Sequence, residues 1–348
     1  MKTRLIILIT IISIIVCSLV AEETRIEVSG KISGIKVYKN HLYVLNETES
    51  NIWKFDDKLK LICKIGRQGQ GPGEIAHLSD IGFLEDKIYT FAHNSLLIFD
   101  TEGNLLRESR ISDLNGSIIL LKNGKIVEKK RNYSYDEGKA IIYKIGFFDE
   151  GLTNFTQLLE EKIIIPPGYE LMAIEPRIDA KYSEVAGRVF ISNPSREYVV
   201  TIHDGDGHIL GKISKKDYKK RRVDASFMDN FLEALINSPD KPPTMSADMI
   251  KSFFKTLYFP KYLPAFDCFY VDDTGNVYIR SFEKKGSKTI YEKYSHYGKL
   301  IKQYFLDDRY VDIIDTHRDI AFSENKFYYI YENEKGEYIL HIEELDLR

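Results

Sequence analysis

Over most of this chain, apolar and polar residues alternate with a period of two in short runs, and the runs recur in a fixed order. Residues 41–66, 86–111, 124–158, 187–213, 275–306 and 325–348 align as six units. Each opens with an apolar strand pattern centred on an aromatic or β-branched residue: Tyr43, Tyr89, Val127, Phe190, Tyr278 or Tyr328. A polar turn and a second strand pattern follow. In four units the second run ends in Asp56, Asp100, Asp149 or Asp204, and in the fifth Ser295 takes that place. A glycine usually comes two or three residues later (Gly103, Gly151, Gly207, Gly298), ahead of a third strand. Period-two alternation gives a strand one apolar face. Asp followed closely by Gly supplies the turn and positive φ that a tight hairpin needs.

A short apolar run also precedes every unit: Gly34–Tyr38, Ser79–Leu84, Ser117–Leu121, Ile178–Tyr182, Phe266–Val271 and Asp319–Phe322. The repeat is therefore four-stranded, the make-up of a propeller blade. The expected fold is all-β: a six-bladed β-propeller of four-stranded antiparallel blades. The strand count is uneven at the ends. The sixth unit stops after its third strand, while Thr24–Ile32 is strand-like and belongs to no unit. Pairing Thr24–Ile32 with Tyr338–Leu345 would supply the missing outer strand and close the ring, hiding two edges.

One stretch, residues 215–264, breaks the pattern. Phe227, Met228, Phe231, Leu232, Leu235 and Ile236 fall on one helical stripe, with Asp224 or Ser226 placed to cap it. Pro239, Pro242 and Pro243 interrupt, and Ser246 opens a second helix carrying Met249, Ile250, Phe253, Phe254 and Leu257. This predicts a helical hairpin inserted between blades four and five, packing its stripe on the propeller. The run Lys215–Arg222 before it reads as a solvated basic connector.

The N-terminus has the order of a secretory signal. Lys2 and Arg4 precede the apolar run Leu5–Val16, and Ala21 precedes Glu22-Glu23. The expected division is a signal peptide over 1–21 and a propeller domain over 22–348, giving an exported, periplasmic or cell-surface protein. Retention as an N-terminal anchor is the alternative. Val16 before Cys17 does not suit lipidation, and Cys63 and Cys268 are expected to be buried free thiols. The 348 residues carry a formal net charge of −3, too balanced for a nucleic-acid binder. With 43% hydrophobic residues, 23 Tyr and 19 Phe, the composition supports a large β core.

The linker GRQGQGPGE (66–74) resembles the GPGE linker of bacterial six-bladed β-propellers related to NHL-repeat proteins, common in exported proteins of Bacteroidota-like bacteria. The strand ends Phe55-Asp56, Phe99-Asp100 and Phe148-Asp149 match that family too, as do Phe259–Phe266 and Asp272–Ile279. The resemblance covers almost all of the chain after residue 21. It implies the fold, and a binding or scaffold role without a known reaction.

No catalytic constellation stands out. The Gly-rich linker lacks the Gly-Lys-Ser/Thr end of a phosphate loop. Its Arg67, Gln68, Gln70 and Glu74 are the candidate ligand-binding residues, set against a plain interblade turn. The eight His are scattered without zinc spacing, and His203–His208 (HDGDGH) lacks the later oxygens of a calcium loop. The expectation is a monomeric, cofactor-free, non-enzymatic binding module. Its ligand would be a protein, peptide or glycan taken by one propeller face or the central channel, with no stable membrane span after signal cleavage. The alternative is a metal-dependent propeller hydrolase or lyase with its site at the channel.

Overall fold

The computed structural model describes residues 24–78, 80–92, 95–110, 117–136, 138–149, 154–195, 197–237, 241–242, 244–307, 320–323, 325–333 and 335–345. The expected signal segment lies outside the described residues.

Among these residues the strands form six four-stranded antiparallel sheets. Blade 1 is β2 (Ile32–Tyr38), β3 (His41–Asn46), β4 (Asn51–Phe55) and β5 (Leu61–Ile65). Blade 2 is β6 (Ile81–Leu84), β7 (Lys87–Ala92), β8 (Ser95–Asp100) and β9 (Leu105–Arg110). Blade 3 is β10 (Ser117–Leu120), β11 (Ile126–Ser134), β12 (Ala140–Phe148) and β13 (Phe155–Ile164). Blade 4 is β15 (Asp179–Ser183), β16 (Arg188–Ser192), β17 (Val199–His203) and β18 (Ile209–Ser214). Blade 5 is β20 (Cys268–Val271), β21 (Val277–Lys285), β22 (Lys288–Tyr294) and β23 (Leu300–Leu306).

Blade 6 takes β24 (Ile320–Ser323), β25 (Lys326–Glu332) and β26 (Tyr338–Glu344) from one end of the chain and β1 (Thr24–Val28) from the other. Thr24 pairs with Ile342 and Val28 with Tyr338, so the ring is clasped as the strand count predicts.

Apolar side chains pack between neighbouring sheets. One cluster joins blade 6 to blade 1 through Val28, Ile35, Val44, Tyr328 and Leu340. Comparable clusters join blades 1 and 2, 3 and 4, 4 and 5, and 5 and 6. All six strand centres read from the sequence are buried. Successive side chains of a strand point to opposite faces, so the almost continuously buried β3 sends Leu42 and Val44 toward blade 6 and Tyr43 and Leu45 toward blade 2.

The Asp hairpins hold by a recurrent device. Oδ1 of Asp56, Asp100 and Asp204 each accepts backbone N–H bonds from the residues two and four further on, at 2.8–3.0 Å. The stretch that resembled a calcium loop is such a hairpin. Cys268 is buried as expected, and burial pushes its thiol up to about 12. Cys63 is only half-buried, because β5 is an outer strand with one sheet edge open to solvent.

The insertion contains α1 (Ala225–Asn237) and α2 (Ala247–Phe254). Asp224 Oδ1 caps α1 through Phe227 N at 2.9 Å, and Ser246 Oγ caps α2 through Met249 N at 3.2 Å. Two short strands, β14 (Leu171–Met172) in the blade 3–4 linker and β19 (Leu257–Tyr258) after α2, pair in parallel. The two linkers thus form one cap. The basic run is more than a solvated connector. Lys215 Nζ donates to buried Glu292 at 2.8 Å, and Arg221 Nη1 donates to the Phe282 carbonyl at 2.7 Å.

Candidate site at the channel mouth

Each blade has four antiparallel strands, so all six inner strands run the same way along the central channel. The linker from each outer strand to the next inner strand therefore returns to one face, the mouth. The glycine-rich linker, the blade 3–4 linker and the helical insertion all lie on it.

Glu184 ties the far end together. It accepts bonds from Tyr38 Oη of blade 1 at 3.0 Å and Glu85 N of blade 2 at 3.1 Å, and Lys122 of blade 3 stands 3.4 Å away. The channel, about 240 Å³, has residues from all six inner strands in its walls.

Beneath the cap sits a second cavity of about 370 Å³. Its roof and sides are Met172, Phe227, Phe231, Phe269 and Phe282, and its floor includes Lys129, Glu175, Arg177, Asp179 and Asp267. No α1 residue is fully buried. Instead of sealing onto the blades, the stripe splits its contacts. Phe231 meets Phe254 at 6.5 Å and Phe259 at 5.5 Å between ring centroids, while Phe227 and Phe231 also face the cavity. The parallel pairing of β14 with β19 ties the insertion to the blade 3–4 linker beside this cavity.

The floor is ionic throughout. Asp179 lies 2.7 Å from Lys129 Nζ and 2.8 Å from Lys181 Nζ. Burial works to raise its carboxyl, but the two ammonium groups outweigh burial and hold it far below the usual carboxylate range. Asp80 and Lys36 pair at 2.8 Å inside the channel, and again the lysine outweighs burial and lowers the carboxyl. Asp267 is bonded by Arg280 and lies 3.4 Å from Arg177 Nε. Glu175 accepts from Arg131 Nε at 2.9 Å and from the Tyr143 hydroxyl. Such charge-assisted contacts fix the side chains in place.

Arg67, Gln68, Gln70 and Glu74 stand apart from this floor; none lines the cavity or the channel. Arg67 Nη2 pairs with Glu74 Oε1 at 2.9 Å, and Glu74 Oε2 accepts Gly71 N at 2.8 Å. Arg67, Gln68 and Gln70 point to solvent. A Cβ at Gly69 would fall 1.9 Å from Glu74 Oε2, so a side chain there would have to displace the Glu74 carboxylate. Among the described residues no three His, Cys, Asp or Glu side chains gather to hold a metal.

The floor carried a register signal in the sequence. Lys36 pairs with Tyr43 and Lys181 with Phe190, the buried centres of the second strands, so the two lysines hold equivalent positions in opposite blades. Asp80 and Asp179 sit two residues ahead of that position, at equivalent places in blades 2 and 4. Aligning inner strands on those centres finds both pairs. Arg177 and the α1 aromatics lie outside the repeat, and Asp267, within the Phe266–Val271 run but one residue ahead of the place held by Asp80 and Asp179, gives no such signal.

Sheet count, strand order and ring closure together define a six-bladed β-propeller. In agreement, residues 10–175 match the DUF5128 family model, described as a 6-bladed beta-propeller. No curated protein matches the sequence. Among solved structures, a candidate exported protein from Bacteroides fragilis superposes with a TM-score of 0.51 at 13% identity, covering 93% of this chain and 95% of that one. A DUF4221 member from Bacteroides vulgatus gives 0.49 at 10% identity over 93% and 97%. A gluconolactonase from Xanthomonas campestris gives 0.44 at 9% identity over 93% and 90%. The first of these, at 13% identity, is a likeness of fold alone.

Proposed function

We propose that this chain is an exported, non-enzymatic binding module whose ligand enters the capped mouth of the propeller channel. The observation that carries the reading is the 370 Å³ cavity with aromatic walls and a preset ionic floor. That combination of apolar lining and a few fixed polar groups is what small-ligand sites use. The carboxylates on the floor are each bonded to lysine or arginine rather than converging on one point, an arrangement for recognition rather than for metal or acid–base work. The far end is tied by Glu184, which favours entry from the mouth. Export rests on the Lys2–Ala21 segment. Among the described residues no helix is long and apolar enough to cross a membrane. The exposed Arg67 linker lies on the same face and is proposed as an outer contact for ligands larger than the cavity.

Thermal unfolding against a panel of short peptides and oligosaccharides tests this. A ligand at about 100 times its Kd should stabilise the protein by about 2.7 kcal/mol. Phe231→Ala should lose that shift while unfolding alone near the wild-type temperature. Equal stabilisation of both proteins would move the site elsewhere. Stoichiometric calcium or zinc in the purified protein, together with turnover of a lactone or ester, would replace the reading with the hydrolase or lyase alternative.

A further inference from the structure

The channel next to the capped cavity carries its own set of fixed polar groups. Lys36 and Lys181 hold equivalent positions in opposite blades, and Asp80 and Asp179 pair with them at 2.8 Å. All four line the channel, and of them only Asp179 also lines the capped cavity. Three of these side chains open widely onto channel space: Asp80 is 57% exposed, Lys36 35% and Lys181 31%.

Each ion pair fixes its members and leaves bonding capacity over. Asp80 Oδ1 takes Lys36 Nζ at 2.8 Å and Ile81 N at 2.9 Å, and among the described residues Oδ2 accepts nothing. Among the same residues Lys181 Nζ meets Asp179 Oδ2 alone, which leaves two of its three hydrogens unused. Lys36 Nζ donates to Asp80 and, at 2.6 Å, to the Ile81 carbonyl, so one hydrogen remains. A hydroxyl answers open donors and an open acceptor together, since it donates once and accepts twice; a carboxylate only accepts and an ammonium only donates. The walls favour neither charge, because four lysines and five carboxylates line the channel.

From this geometry we infer that the channel is a second site, taking a small uncharged polyhydroxy ligand of one ring, a monosaccharide, whose hydroxyls meet Asp80 Oδ2 and Lys181 Nζ. The size agrees: about 240 Å³ lies below the roughly 300–1,000 Å³ of drug-sized sites, room for one ring and not for a chain. The ion pairs already hold the polar side chains, so little ordering is left for the ligand to impose, which limits the entropic cost of binding. This site adjoins the capped cavity through Lys129 and Asp179 and stands apart from the binding reading above.

Saturation-transfer NMR and titration calorimetry on the purified protein test it, with glucose, galactose and mannose as probes and cyclohexanol, glycine and acetate beside them. At least one sugar should bind, and the other three compounds should not. Lys181→Met and Asp80→Leu should each weaken that sugar by about tenfold or more, the worth of a hydrogen bond to a charged group. Asp80→Asn keeps a side-chain acceptor and should recover most of the loss, which guards against a folding artefact. Cyclohexanol, glycine or acetate binding as well as the sugar overturns the inference, and so does a sugar indifferent to both Lys181→Met and Asp80→Leu. Sugar binding lost in Phe231→Ala but kept in Lys181→Met moves the sugar to the capped cavity: the channel site falls and the cavity reading stands. Silence from all three sugars sinks the channel site alone, since the cavity reading is decided by its own panel.

Discussion

Leu59 turns the corner of blade 1 with φ +59°, at the position filled by Gly103, Gly207 and Gly298 in other blades. At Gly298 the choice is forced, because a Cβ would meet the Lys212 carbonyl oxygen at 2.8 Å. At Leu59 the side chain is buried in the core between blades 6 and 1. Left-handed backbone costs a non-glycine residue about 1–2 kcal/mol, and truncating a core leucine costs about 2–5 kcal/mol. Packing wins, so Leu59→Gly should lower urea stability by about 1–3 kcal/mol despite relaxing the backbone; a gain would show that the side chain contributes little. Asp179 offers a second measurement. Its folded carboxyl lies below the ordinary value, so its contribution is present above about pH 4 and is lost as pH falls further. Asp179→Asn should lower stability near pH 7 and flatten the acid limb below pH 4 in thermal melts. An unchanged acid limb would show that the Lys129 and Lys181 contacts do not stabilise the fold.

At the scale of the element, the clasp strand and the cap differ in how far they could be read. β1 was legible because edges must be satisfied: one unit lacked a strand and one strand lacked a unit. Val28→Asp places a charge at a position 1% exposed in the blade 6–1 core. It should cost about 3 kcal/mol or more and make the β1 end the first site of limited proteolysis. Wild-type resistance in that variant would mean the seam is held by other contacts. The two helices and their caps, Asp224 and Ser246, were also readable, since capping and 3.6-residue spacing are local. The space under them was not. It depends on the pairing of β14 with β19, two-residue strands far apart in sequence and too short to carry a period.

For the whole molecule, the repeat determines the ring and says little about its contents. Blade strands announce themselves because every blade repeats the same burial problem. The floor of the mouth draws Lys129, Arg177, Asp179, Asp267 and Arg280 from three blades and a linker, and no local pattern reports a convergence made only by closure. The Gly-rich linker drew notice for the opposite reason: glycine and proline are conspicuous in sequence, and here they shape a turn that Arg67 and Glu74 pin. The clasp also sets the order in which the molecule can be made. Thr24 is synthesised well before its partner Ile342. Every other blade is built from consecutive hairpins, but the sixth cannot close until β26 has been made. Until then β1 is a strand without a partner, and β26 of another copy is as good a match as its own. Closure within one copy competes with exchange of β1 between copies, so raising the concentration during refolding should favour a pair of rings joined by exchanged N-terminal strands.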